Sequence, residues 1–328
     1  MNANIISDRL QTNKQLAILI PCYNEAPTIA KVVGDFKREF PESTIYVFDN
    51  CSTDGTGEIA SSAGATTIYS PKQGKGNVVQ HMFAEIEADA YIMVDGDDTY
   101  PADAGPELLS TFQSTGADMV IGMRLDSYQK KAFRPLHKAG NRFVAWLIST
   151  LFARKVHDVL SGYRVFSRDF VKFAFLRSEG FEIETEMTIQ CLSRGFKLIE
   201  LPIPYGERPA GSVSKLNTYR DGAAIIKAIF LILKAQRPGF FFAIMGFVTF
   251  IAGLLAGWSP VLDYIRDGYV YHLPLAVLAA ALEIIAVLCF AIGLVLGHVT
   301  RLHTETQTAL RMILKHKRLN DQESPDLE

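Results

Sequence analysis

The stretch Tyr91–Asp97 reads YIMVDGD, a short apolar run that ends in two carboxylates separated by one glycine. An uncharged run of this length, followed directly by a turn, is typical of a buried β-strand. Carboxylates at the end of such a strand are hard oxygen ligands, which suit Mg²⁺ or Mn²⁺ bound together with substrate phosphates. We therefore expect Asp95 and Asp97 to hold a divalent cation on a diphosphate. A turn-capping role for the two carboxylates is the alternative interpretation.

Strands and helices alternate around this stretch, from Leu16 to about Gly122. Alternation with short loops predicts an α/β fold with a mostly parallel, doubly wound sheet, and ligands of such sheets bind beyond the carboxyl ends of the strands. The predicted strands are 16–20 (stopped by Pro21), 45–48, 66–69, 91–94, 118–121 and 197–201. The predicted helices are 27–39, 55–63, 76–88, 104–115, 139–152 and 180–194.

The composition excludes several functional classes. A chain of 328 residues holds one large domain and an appendage, and a net charge of −2 without a basic tail gives no case for nucleic acid. The four cysteines are scattered without a C-x-x-C pair, which predicts reduced thiols. Dinucleotide, Walker-type, nucleophile-elbow and H-E-x-x-H motifs are absent. The polar start has no long apolar core, so no signal peptide is predicted.

Two apolar stretches near the C-terminus predict membrane-spanning helices. Residues 239–257 are uncharged, and 273–299 contain Glu283 as their one formal charge. Each is long enough to cross a hydrocarbon layer at about 1.5 Å per residue, and buried core helices are the alternative. Basic residues flank the pair on both outer sides, which places both flanks in the cytoplasm. Glu283 would then be an intramembrane carboxylate facing the partner helix or another subunit.

A basic amphipathic segment precedes the first apolar stretch. Arg220, Lys227 and Lys234 recur every seven residues and share one helix face. This pattern is typical of an interfacial helix on anionic lipid, or else of an ordinary surface helix. The expected organisation is a polar segment at 1–14, a catalytic domain at 15–212, an interfacial helix at 213–237, transmembrane helices at 238–258 and 273–299, an external loop at 259–272, and a cytoplasmic helix and tail at 300–328.

Four motifs in order make a family resemblance specific. They are PCYNE at 21–25, DNCSTDGT at 49–56, GKGN at 74–77 and DGD at 95–97, and together they resemble family 2 glycosyltransferases of GT-A fold. Three further stretches, GMR at 122–124, DVLSGYR at 158–164 and RPAGSVSK at 208–215, resemble the polyprenyl-phosphate glycosyltransferases. That group includes dolichyl-phosphate mannose synthases and the GtrB-like enzymes, and a C-terminal pair of transmembrane helices is similar to the latter.

The resemblance implies roles for individual residues. Asp95, Asp97, Asp158 and Arg124 would be catalytic, with the metal on the first two. Arginine and lysine would surround phosphates because their donors suit phosphate oxygens, and surface ion pairs are the alternative for the arginines. The implied nucleotide-sugar site comprises Pro21, Tyr23, Glu25, Asp49, Lys75, Asp95, Gly96, Asp97, Arg124, Arg208 and Lys215. The implied acceptor-phosphate set comprises Arg134, Lys138, Arg164 and Ser214.

Several assignments leave two interpretations open. Asp158 either orients the acceptor phosphate or a sugar hydroxyl, or is a helix-entry residue before the turn at Ser161 and Gly162. Glu182 and Glu186 share one helix face, where one of them touches donor hydroxyls or both face solvent. Three departures from the mannose-synthase pattern bear on the donor. Asn50 replaces a common second Asp, which favours a nucleotide other than GDP. Thr99 replaces a Gln, and the 208–215 segment is one residue longer.

These features predict an inverting, metal-dependent transfer of a hexose from a nucleotide sugar to polyprenyl phosphate. UDP-glucose or a UDP-N-acetylhexosamine is the expected donor, and the product would serve cell-envelope glycan or glycoprotein modification. The alternatives are a mannose synthase using GDP-mannose, a processive polysaccharide synthase, and a non-enzymatic membrane scaffold. The expected partners are the donor, the lipid acceptor, the membrane and a second copy of the chain. The expected location is the inner or plasma membrane, with the catalytic domain and both termini cytoplasmic.

Overall fold

The structure is a computed structural model that describes residues 15–124, 135–206, 230, 234 and 237–323. Within these ranges, the side chains of 135–140, 307–308, 310–312 and 314–323 are not described. The chain divides into two compact units, residues 1–228 and 229–328.

The first unit contains a seven-stranded sheet in the order β3-β2-β1-β4-β6-β5-β7. Neighbouring strands are parallel except at β6, which runs antiparallel to both β4 and β5. The strands are β1 Leu16–Cys22, β2 Thr44–Asp49, β3 Thr66–Tyr69, β4 Ala90–Met93, β5 Met119–Arg124, β6 Arg164–Ser167 and β7 Leu198–Ile203. Every residue of β4 is buried, because this apolar strand lies inside the sheet between β1 and β6 and helices cover both faces.

Helices cover both faces of this sheet. On one face Ile18 and Ile20 pack in the same core as Val33 and Phe36 of α1. On the other face Leu19 packs in the same core as Met82 and Phe83 of α3. This alternation along β1 follows from the two-residue period of a strand. Among the described residues of this unit, the α-helices are α1 Ile29–Glu39, α2 Thr56–Ser62, α3 Lys75–Glu85, α4 Gly105–Thr115, α5 Pro135–Phe152, α6 Arg168–Phe173 and α7 Ile183–Ser193.

The predicted α/β class and mostly parallel sheet are confirmed, but two details of the prediction are wrong. The first strand does not stop at Pro21, because Pro21 pairs with Phe48 and Cys22 with Asp49. Pairing with β4 ends at Leu19, so Pro21 has a neighbouring strand on one side alone, where a missing N–H is tolerated. The second detail is β6, a four-residue antiparallel strand that the sequence pattern did not predict.

The described residues of the second unit include two long helices, α8 Pro238–Asp267 and α9 Leu273–Glu323. Segments Pro238–Asp267 and Leu273–Thr306 contain 18-residue windows of mean hydropathy 2.2 and 2.8, and both segments are long and apolar enough to cross a membrane. Gly239, Gly246 and Gly253 recur every seven residues in α8 and lie against α9. An added Cβ at Gly246 would lie 3.1 Å from the Ala286 carbonyl oxygen, so the glycines let the two helix backbones approach closely.

Most of the predicted external loop at 259–272 is helical in the structure. The helix α8 continues to Asp267, and Gly268 ends it in a left-handed conformation at φ 67°. The connection to α9 is therefore 268–272, shorter than the predicted loop at 259–272. The predicted amphipathic helix at 213–237 lies outside the described residues, apart from positions 230, 234 and 237.

Candidate active site

The carboxyl ends of β1, β2 and β4 meet at a cleft of about 280 Å³ in the first unit. Parallel neighbours with this register bring the residues after each strand to one edge of the sheet. Seven residues of the predicted nucleotide-sugar site line the cleft: Pro21, Tyr23, Glu25, Lys75, Asp95, Gly96 and Asp97. The other lining residues are Cys22, Asn50, Gln73, Gly74, Val78 and Phe181.

The loops after β1 and β2 hold each other in place. The Asn24 backbone N–H donates to Ser52 Oγ at 2.9 Å, and Asn24 Oδ1 accepts from the Thr53 N–H at 2.8 Å. Asn24 adopts φ 52°, a left-handed conformation that asparagine tolerates better than most residues. The Glu25 N–H donates to Thr56 Oγ1 at 2.9 Å. Tyr23 and Glu25 therefore reach the cleft from a loop that is fixed by the second motif.

Asn50 joins the loop after β2 to the loop that precedes α3. This side chain is 3% exposed. Its amide nitrogen donates to the carbonyls of Ser70 at 3.0 Å and Lys72 at 2.9 Å, and its Oδ1 accepts from the Gly74 N–H at 2.7 Å. A carboxylate could not make the two donated bonds. Asp49 is not among the cleft-lining residues, and its Oδ1 accepts from the Ser52 N–H at 3.1 Å.

The glycines on either side of Lys75 allow a close approach of backbones. Gly74 has φ 125°, and a Cβ at this position would overlap the Glu179 carbonyl oxygen. The Gly76 N–H donates to the same carbonyl at 3.0 Å, and a Cβ at Gly76 would overlap the Ser178 carbonyl oxygen. The Gly-Lys-Gly motif therefore lets the segment 178–180 pack on the start of α3, where Lys75 is the first residue.

Lys75 lies between two carboxylates. Its Nζ is 2.6 Å from Asp95 Oδ1 and 2.5 Å from Glu184 Oε1. Burial lowers the pKa of Lys75, but the two carboxylates outweigh this effect and raise that pKa above its usual range. Burial also raises the pKa of Glu184, an effect that Lys75 opposes in part. The ammonium is consequently a firmly charged group beside the Asp-Gly-Asp motif.

The loop before β6 supports the Asp-Gly-Asp motif. A Cβ at Gly162 would overlap the Asp95 carboxylate, so the Gly162 backbone lies directly against that side chain. The Gly162 N–H donates to the Tyr100 hydroxyl at 2.9 Å. Asp97 is 4% exposed, and its Oδ1 accepts from the Thr99 hydroxyl at 2.6 Å. Thr99 therefore contacts the second carboxylate in the position where the mannose-synthase pattern has Gln.

The donor atoms at this motif fit a divalent cation. Asp95 and Asp97 present hard oxygens at the cleft, which suit Mg²⁺ or Mn²⁺ when substrate oxygens and water complete the coordination. Among the residues whose placement is described, no group of three His, Cys, Asp or Glu side chains could hold a metal. The two aspartates would accordingly hold the ion together with substrate oxygens.

Arg124 and Asp158 form a buried, bidentate ion pair. Arg124 Nε is 2.7 Å from Asp158 Oδ2, and Arg124 Nη2 is 2.8 Å from Asp158 Oδ1. The Arg124 and Leu160 backbone N–H groups and the Asn141 amide also donate to this carboxylate. Burial raises the pKa of Asp158, but the Arg124 guanidinium outweighs burial and holds that pKa below its usual range. The Arg124 guanidinium also lies 5.5 Å from the centre of the Tyr205 ring.

Arg164 does not reach the cleft. It is 0% exposed and donates to the carbonyls of Ser161 and Val159, each at 2.8 Å, and to Thr188 Oγ1 at 3.0 Å. An acceptor phosphate has no access to this guanidinium, so the structure removes Arg164 from the acceptor set. Arg134, Arg208, Ser214 and Lys215 lie outside the described residues, and Lys138 lies in α5 with its side chain outside them.

Glu182 and Glu186, the pair predicted to share one helix face, bond to backbone groups and do not line the cleft. Glu186 accepts from the Arg177 and Ser178 backbone N–H groups, and Glu182 accepts from the Gly180 N–H. The glutamate that contacts Lys75 is Glu184, which the sequence analysis missed together with Phe181. The i, i+4 spacing favoured the outer pair, whereas the apolar neighbours of Glu184 and its position after Phe181 were the available signal.

The sheet, the two interlocked loops and the position of the Asp-Gly-Asp motif match a fold of GT-A type. A crystal structure of glucosyl-3-phosphoglycerate synthase from Mycobacterium tuberculosis, in complex with Mn²⁺, UDP and phosphoglyceric acid, aligns with TM-score 0.55. The alignment covers 68% of this chain and 78% of that one at 20% sequence identity, which shows the shared fold.

Sequence comparisons identify the family. The family model described as Glycosyl transferase family 2 matches residues 17–175. Glycosyltransferase AglJ of Haloferax volcanii is 34% identical over 297 residues, which are 90% of this chain and 97% of that protein. The dolichyl-phosphate hexose transferase of the same organism is 33% identical over 226 residues, 69% of this chain and 97% of that protein. The chain belongs to glycosyl transferase family 2, and the predicted family and glycosyltransferase activity are confirmed.

Proposed function

We propose that this enzyme transfers a hexose from a nucleotide sugar to a polyprenyl phosphate. The observation that carries the proposal is the cleft that joins Tyr23 and Glu25 to Asp95 and Asp97. Tyr23 and Glu25 suit a nucleoside, and the carboxylates of Asp95 and Asp97 suit a metal-bound diphosphate. The name of the dolichyl-phosphate hexose transferase from Haloferax volcanii supports a lipid phosphate as the acceptor.

The proposed donor is UDP-glucose or a UDP-N-acetylhexosamine, with GDP-mannose as the second candidate. Asn50 supports a nucleotide other than GDP, because its amide is committed to three backbone groups of the surrounding loops. An aspartate in its place could not hold these loops in the same way. The UDP complex of the mycobacterial synthase adds support for a uridine nucleotide in this fold.

The acceptor chemistry requires no strong general base. A phosphate monoester with a second pKa near 6 is mostly dianionic at neutral pH, so the nucleophilic oxygen is already deprotonated. This oxygen forms a bond to C1 of the sugar, while the bond from C1 to the diphosphate breaks and its electron pair leaves with the nucleotide. In-line displacement inverts the anomeric centre. An α-linked donor should therefore give a β-linked lipid, and an α-linked product in an NMR coupling measurement would contradict this route.

The protein has to bring two polyanions together. Asp95 and Asp97 would hold Mg²⁺ or Mn²⁺, which when bound supplies Lewis-acid stabilisation of the leaving diphosphate. Lys75 adds a fixed positive charge beside Asp95. Arg124, oriented by Asp158, is a rigid donor near the same edge of the sheet. Arg208 and Lys215 complete the proposed phosphate-binding set, with Arg134, Lys138 and Ser214 on the acceptor side.

The two apolar helices of the second unit would keep the enzyme at the membrane, where the acceptor chain lies. We place the catalytic domain and both termini in the cytoplasm and the 268–272 connection on the opposite side, because basic residues flank the helix pair on its outer sides. The basic face of Arg220, Lys227 and Lys234 would dock the catalytic domain on anionic lipid, and two chains would associate through their helices.

The decisive experiment supplies membranes with a radiolabelled nucleotide sugar, Mn²⁺ and polyprenyl phosphate. The expected product is a lipid-linked monosaccharide. Asp95→Asn and Asp97→Asn should each lower kcat by about a hundredfold or more, the usual scale for losing electrostatic stabilisation of a leaving group. Asp98→Asn is the matched control, because Asp98 pairs with Lys31 at 2.7 Å and does not line the cleft.

Three outcomes would contradict the proposal. A polymeric product would indicate a processive synthase, and the absence of any product with every nucleotide sugar tested would favour a scaffold role. Full turnover of Asp95→Asn and Asp97→Asn, or of the wild type in excess chelator, would exclude the proposed use of the carboxylate pair. A panel of UDP and GDP sugars, read by thermal stabilisation, identifies the donor independently of the lipid.

A further inference from the structure

One lysine and two carboxylates form an unbalanced cluster behind the cleft. Lys75 carries one positive charge, whereas Asp95 and Glu184 together carry two negative charges when both are ionised. Glu184 is 3% exposed, lies in the first turn of α7 and is not among the cleft-lining residues. Its Oε2 is buried without a hydrogen-bond partner. A buried carboxylate with one unsatisfied oxygen destabilises the fold, so its presence here points to a functional role.

The two carboxylates differ in what surrounds them. Asp95 borders the cleft and belongs to the motif that suits a divalent cation. Glu184 is enclosed, and Lys75 is the cation that bonds to it directly. The guanidinium of Arg164 is committed to two carbonyls and to Thr188. Phe181, just before α7, lies 5.9 Å from the Lys75 ammonium and lines the cleft, so two residues at the start of α7 contact this lysine.

A divalent cation and the Lys75 ammonium would compete for Asp95. Both need the same carboxylate, and two positive charges within a few ångströms repel each other. Cation binding at Asp95 therefore requires that the ammonium has another anionic partner nearby. Glu184 Oε1, 2.5 Å from Lys75 Nζ, is such a partner without any change of the backbone.

We propose that Glu184 is a positioning residue that retains the Lys75 ammonium when Asp95 binds the cation and the nucleotide diphosphate. Lys75 would give up its bond to Asp95, keep its bond to Glu184 and remain beside the cleft as a charge for the donor phosphates. Glu184 would thereby set the affinity for the cation without touching it. This inference rests on the proposed function, because it assumes a metal-bound nucleotide at Asp95 and Asp97.

The test is a titration of Mn²⁺ in the presence of UDP, measured by calorimetry on the full-length protein in detergent. Glu184→Gln keeps the shape of the side chain but removes the charge that retains Lys75. The apparent Mn²⁺ affinity should fall about tenfold, the scale of one charge-assisted hydrogen bond. Glu182→Gln is the matched control from the same acidic run and should leave this affinity unchanged, because Glu182 accepts from the Gly180 backbone.

A double variant separates this role from a structural one. In Lys75→Met/Glu184→Gln the competing ammonium is absent, so the Mn²⁺ affinity should return to within about threefold of the wild type. If Glu184 is merely structural, the single variant should have a lower Tm and an unchanged Mn²⁺ affinity. The double variant should then show no recovery of Tm. Should Glu184→Gln fail to fold, Glu184→Asp replaces it and is expected to show an intermediate Mn²⁺ affinity.

The outcomes also distinguish the inference from the proposed function. Wild-type protein that binds Mn²⁺ and UDP, together with a Glu184→Gln variant of equal affinity, overturns the positioning role and leaves the proposed function intact. Wild-type protein that binds no Mn²⁺ with either UDP or GDP overturns both. Loss of affinity in the single variant with recovery in the double variant supports the inference.

Discussion

Asp158→Asn removes one negative charge from a buried ion pair and leaves its shape nearly unchanged. The wild-type carboxylate is 2% exposed and receives two bonds from the Arg124 guanidinium at 2.7 and 2.8 Å. The substituted amide has one oxygen, so it can accept from the Leu160 or from the Arg124 backbone N–H group but not from both. The main effect of the variant is to leave the Arg124 guanidinium buried without its counter-charge.

The expected loss of stability is large. Breaking a buried pair by neutralising one partner costs about 3–5 kcal/mol, because the remaining charge is desolvated and uncompensated. For a domain of this size each kcal/mol lowers Tm by about 2–4 °C, so Asp158→Asn should lower it by roughly 6–20 °C. Neutralising both partners in Arg124→Gln/Asp158→Asn should recover at least half of that loss, since no unpaired charge remains.

A thiol-reactive fluorogenic dye measures the unfolding of the catalytic unit in detergent. Cys22 and Cys191 are buried in this unit and become reactive when it opens. An Asp158→Asn variant within about 2 °C of the wild type, or a double variant no more stable than the single one, would refute the reasoning, given the size of the effect expected from a buried charge.

The same pair predicts a pH dependence. Arg124 outweighs burial and lowers the pKa of Asp158 in the folded state, so the stabilisation is present above the unfolded pKa of about 3.9 and is lost as the pH falls through the folded value. The Tm difference between wild type and Asp158→Asn should be constant from about pH 5 upward and shrink below about pH 4. A difference that grows on acidification would contradict this sign.

Three further substitutions test the site by other routes. Arg164→Met should lower the free energy of unfolding by about 2–4 kcal/mol, because the two carbonyls that bind Arg164 lose their donor. The KM of the folded variant for the lipid acceptor should stay unchanged. Thermal unfolding and steady-state kinetics measure the two effects. Gly76→Ala should abolish thermal stabilisation by UDP because its Cβ overlaps a carbonyl, whereas the control Gly34→Ala, with nothing within 4 Å, should not. Asn50→Asp should weaken UDP binding by about tenfold, measured by calorimetry, because two donated hydrogen bonds are lost.

The sheet and the donor half of the site were predictable because their signals are local. A buried strand is a short apolar run, and in a parallel sheet the residues after each run must meet at one edge. This is why the residues after β1 and β4 could be grouped before the structure was known, and the cleft contains both sets. The glycines at 74 and 76 were also visible in the sequence, although their packing against residues 178–180 was not.

The remainder depends on contacts between distant segments. Lys75 and Glu184 are more than a hundred positions apart, and no spacing rule connects them. Arg164 belongs to a motif that the sequence analysis assigned to the acceptor, but an arginine that binds phosphate and one that binds core carbonyls look the same in a sequence. The strand β6 is four residues long and antiparallel, too short to give a period of its own.

The reversed strand β6 makes the site sensitive to a change of a single residue in length. Its first residue, Arg164, pairs with Met93 and with Ile121, so the segment 158–163 enters the sheet beside the residues that leave β4 and β5. Deleting one residue from this segment would pull the chain by about 3.3 Å or shift the strand by one position, which exchanges its two faces. Asp158 and Gly162 would then miss Arg124 and Asp95 together. Point substitutions in 159–163, except at Gly162 where a Cβ would overlap Asp95, should therefore be tolerated more readily than insertions or deletions.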